Sequence, residues 1–431
     1  MNKIKENKEV NSFLIGSSGI KLGLEYWNQM LEMYSKPIVD SNESIITLED
    51  LNVYLEETKR GLFIPKTFII DYNDIIHYEI MQTSFGKYLN QKNLLFLNSN
   101  MNYEENKEGY IENKARQTIS DFVRTILERS NSCQAFLAIN SVGEMAGSSL
   151  GKLIHELLSS FAASTNKLNF PVFSTSDKWK IDKEALLELY SCTWLQNFSN
   201  LIVPFETVIK PNQIINNEVI LSKQFKSESE IIAQIILNIT SSLCRKNTSI
   251  QNSSELISAL VHNQDLKFVT TWAFPISSDQ KERNSEIMVA LKCFNKPMLS
   301  GVNINWNTLL NSLVISEDCL EEKTRKYIES YIYALNQKFG NNNGVRKINF
   351  VQFSKYNTQN FGDQQIIMCS NSSCIKSFLE QIIQRINLIN DQNIIEESKK
   401  YTNESWQNSF YRGKDNLSRI IMNYKNLLKN H

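Results

Sequence analysis

The chain has 431 residues, 42% of them hydrophobic, and its 46 basic side chains balance its 46 acidic ones. That length and apolar content can bury a large core spread over two or three domains, while the balanced charge gives no electrostatic ground for binding nucleic acid or an anionic membrane. The seven cysteines are odd in number, scattered from Cys133 to Cys374 and without paired metal spacing, which points to reduced thiols in a cytosolic setting. The charged start, Met1-Asn-Lys-Ile-Lys-Glu-Asn-Lys8, is followed by no long apolar segment, so neither a signal peptide nor a membrane span is expected.

In chain order, residues 12–15 read as a strand entering a Gly/Ser loop, and the helical segment from Ile20 carries Trp27, Met30, Leu31 and Tyr34 at helical spacing. Residues 67–71, 94–97, 136–139 and 201–204 read as further strands with helices between, the pattern of a parallel α/β sheet. Residues 230–243 form a long helix whose Ile231, Ile232, Ile235, Ile236, Ile239 and Leu243 leave little polar surface, so burial on more than one side is expected. A second α/β unit follows, with strands at 267–272, 286–294, 347–353 and 364–368 and helical stretches including 309–315 and 324–338. From Ser377 the chain is mainly helical, and Leu417, Ile420, Ile421, Tyr424, Leu427 and Leu428 share one face of the last helix.

The most telling residues follow the strand at 136–139. Gly143-Glu-Met-Ala-Gly-Ser-Ser149 leads into a helix containing Leu153, Ile154, Leu157, Leu158 and Phe161. Strand, Gly/Ser loop and helix is the layout in which backbone N–H groups and a positive helix end hold an anion. Here a carboxylate and a thioether stand where glycines would let the backbone close on phosphate. An ordinary strand-to-helix turn is the alternative reading of each small residue.

The run from Phe136 to Ser149 resembles the tubulin family signature, in which a strand ending in His-Ser runs into GGGTGSG. Gly16-Ser-Ser-Gly-Ile-Lys-Leu-Gly23 with Tyr26-Trp27 resembles the family's GQCGNQIG loop. Phe68-Ile-Ile-Asp71 resembles VFVDLEP, Glu112-Asn-Lys-Ala-Arg116 the NNYARG loop, Asn238-Ile-Thr-Ser-Ser-Leu243 SSITASL, and Met368-Cys-Ser-Asn-Ser-Ser373 MLSNTTA. Six matches in the family's order identify the chain as resembling a highly divergent tubulin. The resemblance implies an α/β, tubulin-like fold: a Rossmann-like nucleotide-binding domain over 1–212, a central helix and smaller α/β intermediate domain over 213–382, and a C-terminal helical region over 383–431.

It also implies a site for GTP or GDP. Gly16, Ser17, Ser18, Asn113, Ser141, Gly143, Gly147 and Ser148 match phosphate-loop positions, and Asp71 matches the acidic residue near the phosphates and Mg²⁺, an indirect metal contact. Phe225 would stack on the base, while Glu206 and Ser229 stand where two asparagines read guanine. The departures are as informative. Glu144, Met145 and Ala146 replace two glycines and a threonine, Asn73 replaces a second acidic residue, and residues 179–183 carry no evident ribose carboxylate. A carboxylate about 5 Å from phosphate would cost several kcal/mol in a partly buried site.

In this family hydrolysis is completed by an acidic residue of the next subunit, and gapless extension places Glu255 there. A helix-capping role is the alternative reading of that residue. The implied function is a cytoskeletal protein that forms part of, or binds, microtubule-type assemblies with a degenerate guanine-nucleotide pocket, nucleotide being weakly bound or absent. The alternative is a GTP-binding, polymerising tubulin with weak GTPase activity. The expected partners are tubulin-like subunits in longitudinal contact, with neither nucleic acid nor membrane, in the cytoplasm and cytoskeleton, a cilium or other specialised array included. Tyr411-Arg-Gly-Lys414 stands where the family's surface is acidic, so factors that read negative charge are expected to find little here. Lys414, Arg419, Lys425 and Lys429 could meet the acidic tail of a conventional tubulin, a solvated helix face being the alternative reading. The four histidines are dispersed, His155 being read as a partly exposed helix residue. Zinc-ligand, G-x-S-x-G, Walker-type and G-x-G-x-x-G patterns are missing from the sequence.

Overall fold

A computed structural model describes residues 8–35, 52–97, 110–174, 182–207, 227–244, 250–261, 263–275, 299, 302, 309–316, 322–340, 347–352, 365–388 and 405–429. The chain divides into two compact units, one of residues 1–24, 52–202 and 379–421, the other of 25–51, 203–378 and 422–431.

The first unit alternates strand and helix. Its elements are β1 (Glu9–Ile15), the start of α1 (Ser17–Ser35), the short hairpin β2 (Leu55–Glu57) and β3 (Phe63–Pro65), β4 (Thr67–Asp71), α2 (Ile75–Gln82), β5 (Leu94–Phe96) and α3 (Tyr110–Arg129). They continue with β6 (Cys133–Ser141), α4 (Gly151–Phe161), β7 (Asn166–Phe173), α5 (Asp182–Phe198) and β8 (Leu201–Ile202). The strands run β5-β4-β1-β6-β7-β8, every neighbouring pair parallel. All residues of β1 and β4 are buried, which is why the segments Phe13-Leu-Ile15 and Phe68-Ile-Ile70 read as apolar runs without alternation. Phe13, Ile15, Phe68, Ile70, Phe136 and Ala138, alternate residues of three strands, form one core cluster with Ile119, Val123 and Ile126 of α3 and Ile154, Leu157 and Leu158 of α4. Spacings of two on the strands and three to four on the helices bring these side chains onto facing surfaces. Because β1 lies between β4 and β6, the connections diverge at its C-terminal end. A doubly wound sheet opens its ligand crevice at such a point.

The second unit holds β9 (Phe205–Glu206), α6 (Glu228–Ser241), α7 (Ser253–Leu260), β10 (Thr270–Pro275), β11 (Leu309–Ser316), α8 (Glu322–Gly340), β12 (Lys347–Gln352) and β13 (Gln365–Ser372). Its sheet runs β10-β13-β11-β12, with β11 and β12 parallel and the other pairs antiparallel. Ser227 caps α6, its Oγ accepting from the Glu230 N–H. From Ile231 to Leu237 every residue of α6 is buried, so the Ile-rich helix is interior on all sides. Among the described residues the last helices are α9 (Ile375–Leu388) and α10 (Ser405–Lys429). Among the described residues no helix is long and apolar enough to cross a membrane.

Three sequence expectations need correction. Residues 309–315, read as helical, are strand β11, hydrogen-bonded to β12 and β13 on its two edges. Such a strand lacks the alternation that separates it from a short buried helix, and Val314-Ile315 was the β-branched signal. The sequence reading has no strand at β7, because Lys167, Asn169 and Pro171 interrupt its apolar run. The two buried polar side chains have hydrogen-bond partners: Lys167 Nζ donates to the nearby Thr165 carbonyl at 3.0 Å and Asn169 Nδ2 to the distant Ser199 Oγ at 2.8 Å. His155, read as partly exposed, is 1% exposed. The strand expected at 286–294 lies outside the described residues.

Candidate functional site

The crevice at the end of β1 begins with Gly16, whose φ of 76° is the left-handed conformation that favours glycine. A Cβ there would meet Ser141 Oγ at 2.1 Å and the Gly147 nitrogen at 2.9 Å. Gly147 is tighter still, since its Cβ would lie 1.8 Å from the Ser141 carbonyl oxygen. Gly19 leaves the first turn of α1 equally close to β6, with a Cβ 2.9 Å from the Ile139 oxygen. Three glycines therefore let the β1–α1 and β6–α4 loops approach backbone to backbone, the approach that an anion cradle requires.

A side chain of the chain itself sits in that cradle. Glu144 Oε2 accepts from the Ser17 N–H at 2.7 Å and from Ser141 Oγ at 2.8 Å. Its Oε1 accepts from the Ser18 N–H at 3.1 Å and from the Ser18 hydroxyl. Ser17 and Ser18 open α1, so these N–H groups are among the donors a helix start leaves without intrahelical partners. Beyond Glu144 the loop winds through a π-helical turn, Ala146–Leu150, into α4. Such turns often mark functional sites. Ser148 is buried, accepting from Ser191 Oγ at 2.9 Å and donating to the Leu187 carbonyl at 3.3 Å. Ser149 meets the Tyr72 hydroxyl at 3.0 Å.

Asp71 ends β4 and is buried. Its Oδ1 accepts from the Asn73 N–H at 3.0 Å, whereas Oδ2 has no hydrogen-bond partner among the described residues. Burial raises its pKa above the usual carboxylate value, and the charge of Glu144 raises it further. A Cβ at Gly143 would meet Ser174 Oγ at 2.6 Å and Glu188 Oε1 at 3.5 Å. Glu188 is fully buried. It accepts from the Ser174 N–H at 2.8 Å and pairs with Arg385 Nη1 at 2.8 Å. Sequence reading missed this carboxylate beside the signature loop. The signal was a glutamate set among Leu186, Leu187 and Leu189, where an amphipathic helix would place an apolar residue.

Asn113 lies in α3, its side chain outside the described residues, as are Phe225 and residues 179–181. In the second unit Glu206 is buried in β9 and Ser229 is half-buried in the first turn of α6. Glu255 is exposed at the start of α7 within a reciprocal cap. Asn252 Oδ1 accepts from the Glu255 N–H at 2.9 Å, while the Glu255 carboxylate accepts from the Gln251 N–H at 2.7 Å and from Asn252 Nδ2 at 2.8 Å.

A sequence profile of the Tubulin/FtsZ family, GTPase domain, matches residues 9–209, which take in the whole parallel sheet. A tubulin gamma chain of the nucleomorph of Guillardia theta is 24% identical over 447 aligned positions, covering 98% of this chain and 99% of the relative. Both findings support a tubulin-family protein. The matched GTPase domain implies guanine-nucleotide binding. The residues of this tubulin-family protein fit that ligand only in part. Gly16, Gly19 and Gly147 keep the backbone close enough to surround phosphate, but the N–H groups of Ser17 and Ser18 already face a carboxylate. Among the described residues no group of three or more His, Cys, Asp or Glu side chains is placed to hold a metal.

Proposed function

We propose that this tubulin-family cytoskeletal protein serves as a structural component or binding partner of microtubule-type assemblies, with a guanine-nucleotide pocket weakened at the phosphate loop. The observation that carries this reading is the contrast between reach and site. Likeness to a tubulin chain extends over 98% of the sequence, whereas Gly143-Glu-Met-Ala146 keeps the first glycine of the family loop it resembles and has lost the next two. The proposed functional division is 1–212 for the nucleotide-type domain, 213–382 for the central helix and intermediate domain, and 383–431 for the C-terminal helices. Its partners are tubulin-like subunits in longitudinal contact, and its place is the cytoskeleton, with no feature of the chain directing it to a cilium.

By their match to the family's motifs, the residues proposed for GTP or GDP are Gly16, Ser17, Ser18, Asn113, Ser141, Gly143, Gly147 and Ser148 for the phosphates, Asp71 for any accompanying Mg²⁺, and Glu206, Phe225 and Ser229 for the base. A second reading, a polymerising GTP-binding subunit whose weak hydrolysis is completed by Glu255 of the next copy, draws support from the glycine-lined backbone and the exposed Glu255 carboxylate. Sedimentation of the purified chain with GTP and Mg²⁺, alone and with tubulin subunits, separates the two. A discrete complex with tubulin and no filaments from the isolated chain is the expected result. Long filaments from the chain alone would establish the second reading instead.

A further inference from the structure

We propose that Glu144 is a tethered anion seated in the phosphate cradle, holding the β1–α1 and β6–α4 loops together without nucleotide and excluding nucleotide phosphate while it sits there. The proposal rests on the reading of this crevice as the family's phosphate site. Both carboxylate oxygens are engaged: one takes the Ser17 N–H and the Ser141 hydroxyl, the other the Ser18 N–H and hydroxyl. These donors come from the β1–α1 loop and from the end of β6, so one carboxylate spans the two segments that the glycines bring together. Its charge lies at the positive end of α1, a helix of 19 residues, where an anion is favoured both by the orphan N–H groups and by the dipole.

A phosphate oxygen would need the same donors, and the two anions cannot use them together. Nearby negative charge also weighs against adding phosphate beside a seated Glu144, since that carboxylate already raises the pKa of buried Asp71. Glu144 follows Ser141 by three residues. This short tether makes its binding intramolecular, with an effective concentration of order millimolar or above. Because Glu144 is partly exposed, its side chain can leave toward solvent. The seat therefore acts as a competitor to be displaced, and the damage read in the signature loop becomes a replacement of the ligand by the chain.

The test compares the full chain with Glu144→Gln, Glu144→Gly and the control Glu156→Gln, which removes a carboxylate on α4 that pairs with Arg116 and Lys152 outside the cradle. Each is titrated separately with inorganic phosphate and with GTP plus Mg²⁺, followed by calorimetry and thermal unfolding. Glu144→Gly should unfold at lower temperature than the parent and recover with millimolar phosphate, while the parent and Glu156→Gln show no phosphate shift. Glu144→Gln keeps the side-chain shape without its charge and should bind GTP at least tenfold more tightly than the parent. Should Glu144→Gly not fold, Glu144→Gln decides. Equal affinities of parent and Glu144→Gln for both probes would overturn the proposal. Phosphate rescue of Glu144→Gly without GTP binding would support the seated anion while refuting the guanine-nucleotide reading of the pocket.

Discussion

Acidification should destabilise the first unit through His155. The ring is enclosed, with Nδ1 2.7 Å from the Gly151 carbonyl oxygen and Nε2 2.6 Å from Asn169 Nδ2. A carbonyl only accepts, so Nδ1 carries the proton and Nε2 is the bare acceptor for the Asn169 amide. That amide is held in place by its second bond, to Ser199 Oγ at 2.8 Å, and the Trp194 ring lies 4.9 Å from the imidazole. Burial lowers the His155 pKa to about 4, because a second proton would face an N–H donor in a dry site. In the unfolded chain the group titrates near its ordinary value of about 6.5. The folded pKa is depressed below the unfolded one, so stability is intact above about pH 6.5 and falls as the unfolded state takes up its proton, until about pH 4. Between pH 7.5 and 5 the loss is about 2 kcal/mol, or roughly 5 °C in the unfolding midpoint of a unit of this size. Thermal scans of the parent and His155→Gln at the two pH values isolate this contribution, as other groups titrate in both proteins. The parent's advantage over the variant should shrink by that amount at pH 5. An advantage that stays constant, or an imidazole resonance titrating near 6.5 in the folded chain, would refute the reasoning.

Two further outcomes follow from the loop geometry and the buried ion pair. Gly147→Ala places a methyl group against the Ser141 backbone, 1.8 Å from its oxygen, and should cost about 3 kcal/mol or more. Gly61→Ala, at φ 73° with nothing within 4 Å of the new Cβ, should cost only about 1 kcal/mol. Urea midpoints compare the two, and equal losses would show that the close approach at Gly147 carries no weight. Arg385→Leu removes the cation 2.8 Å from fully buried Glu188 and should destabilise by about 3–5 kcal/mol. Adding Glu188→Gln to it should recover part of that loss, and no recovery in denaturant unfolding would mean that charge burial is not the cause.

Much of the architecture was legible from local pattern. The apolar segments Phe13-Leu-Ile15 of β1 and Phe68-Ile-Ile70 of β4 follow from burial on both faces, and the Ile-rich stretch from Ile231 to Leu243 announced an interior helix through the breadth of its apolar surface. Gly16, Gly19 and Gly147 marked the cradle because close backbone approach tolerates no Cβ. Elements whose neighbours determine them were not legible. Strand β11 looked helical until its pairing on both edges was known, and β7 was hidden by Lys167 and Asn169, buried polar residues satisfied by the neighbouring Thr165 carbonyl and by the distant Ser199 hydroxyl.

The same division runs through the candidate site. Sequence alone showed that Glu144 stands where a glycine belongs and that Glu255 opens a helix. Tertiary structure decided what each carboxylate does. Glu255 turns back on its own helix start, whereas Glu144 reaches Ser17 and Ser18 at the N-terminus of α1, 127 and 126 residues away in sequence. Charge and spacing are properties of a segment and can be read from it. Which donors a carboxylate meets depends on the parallel pairing of β1 with β6, a long-range contact that no local pattern encodes.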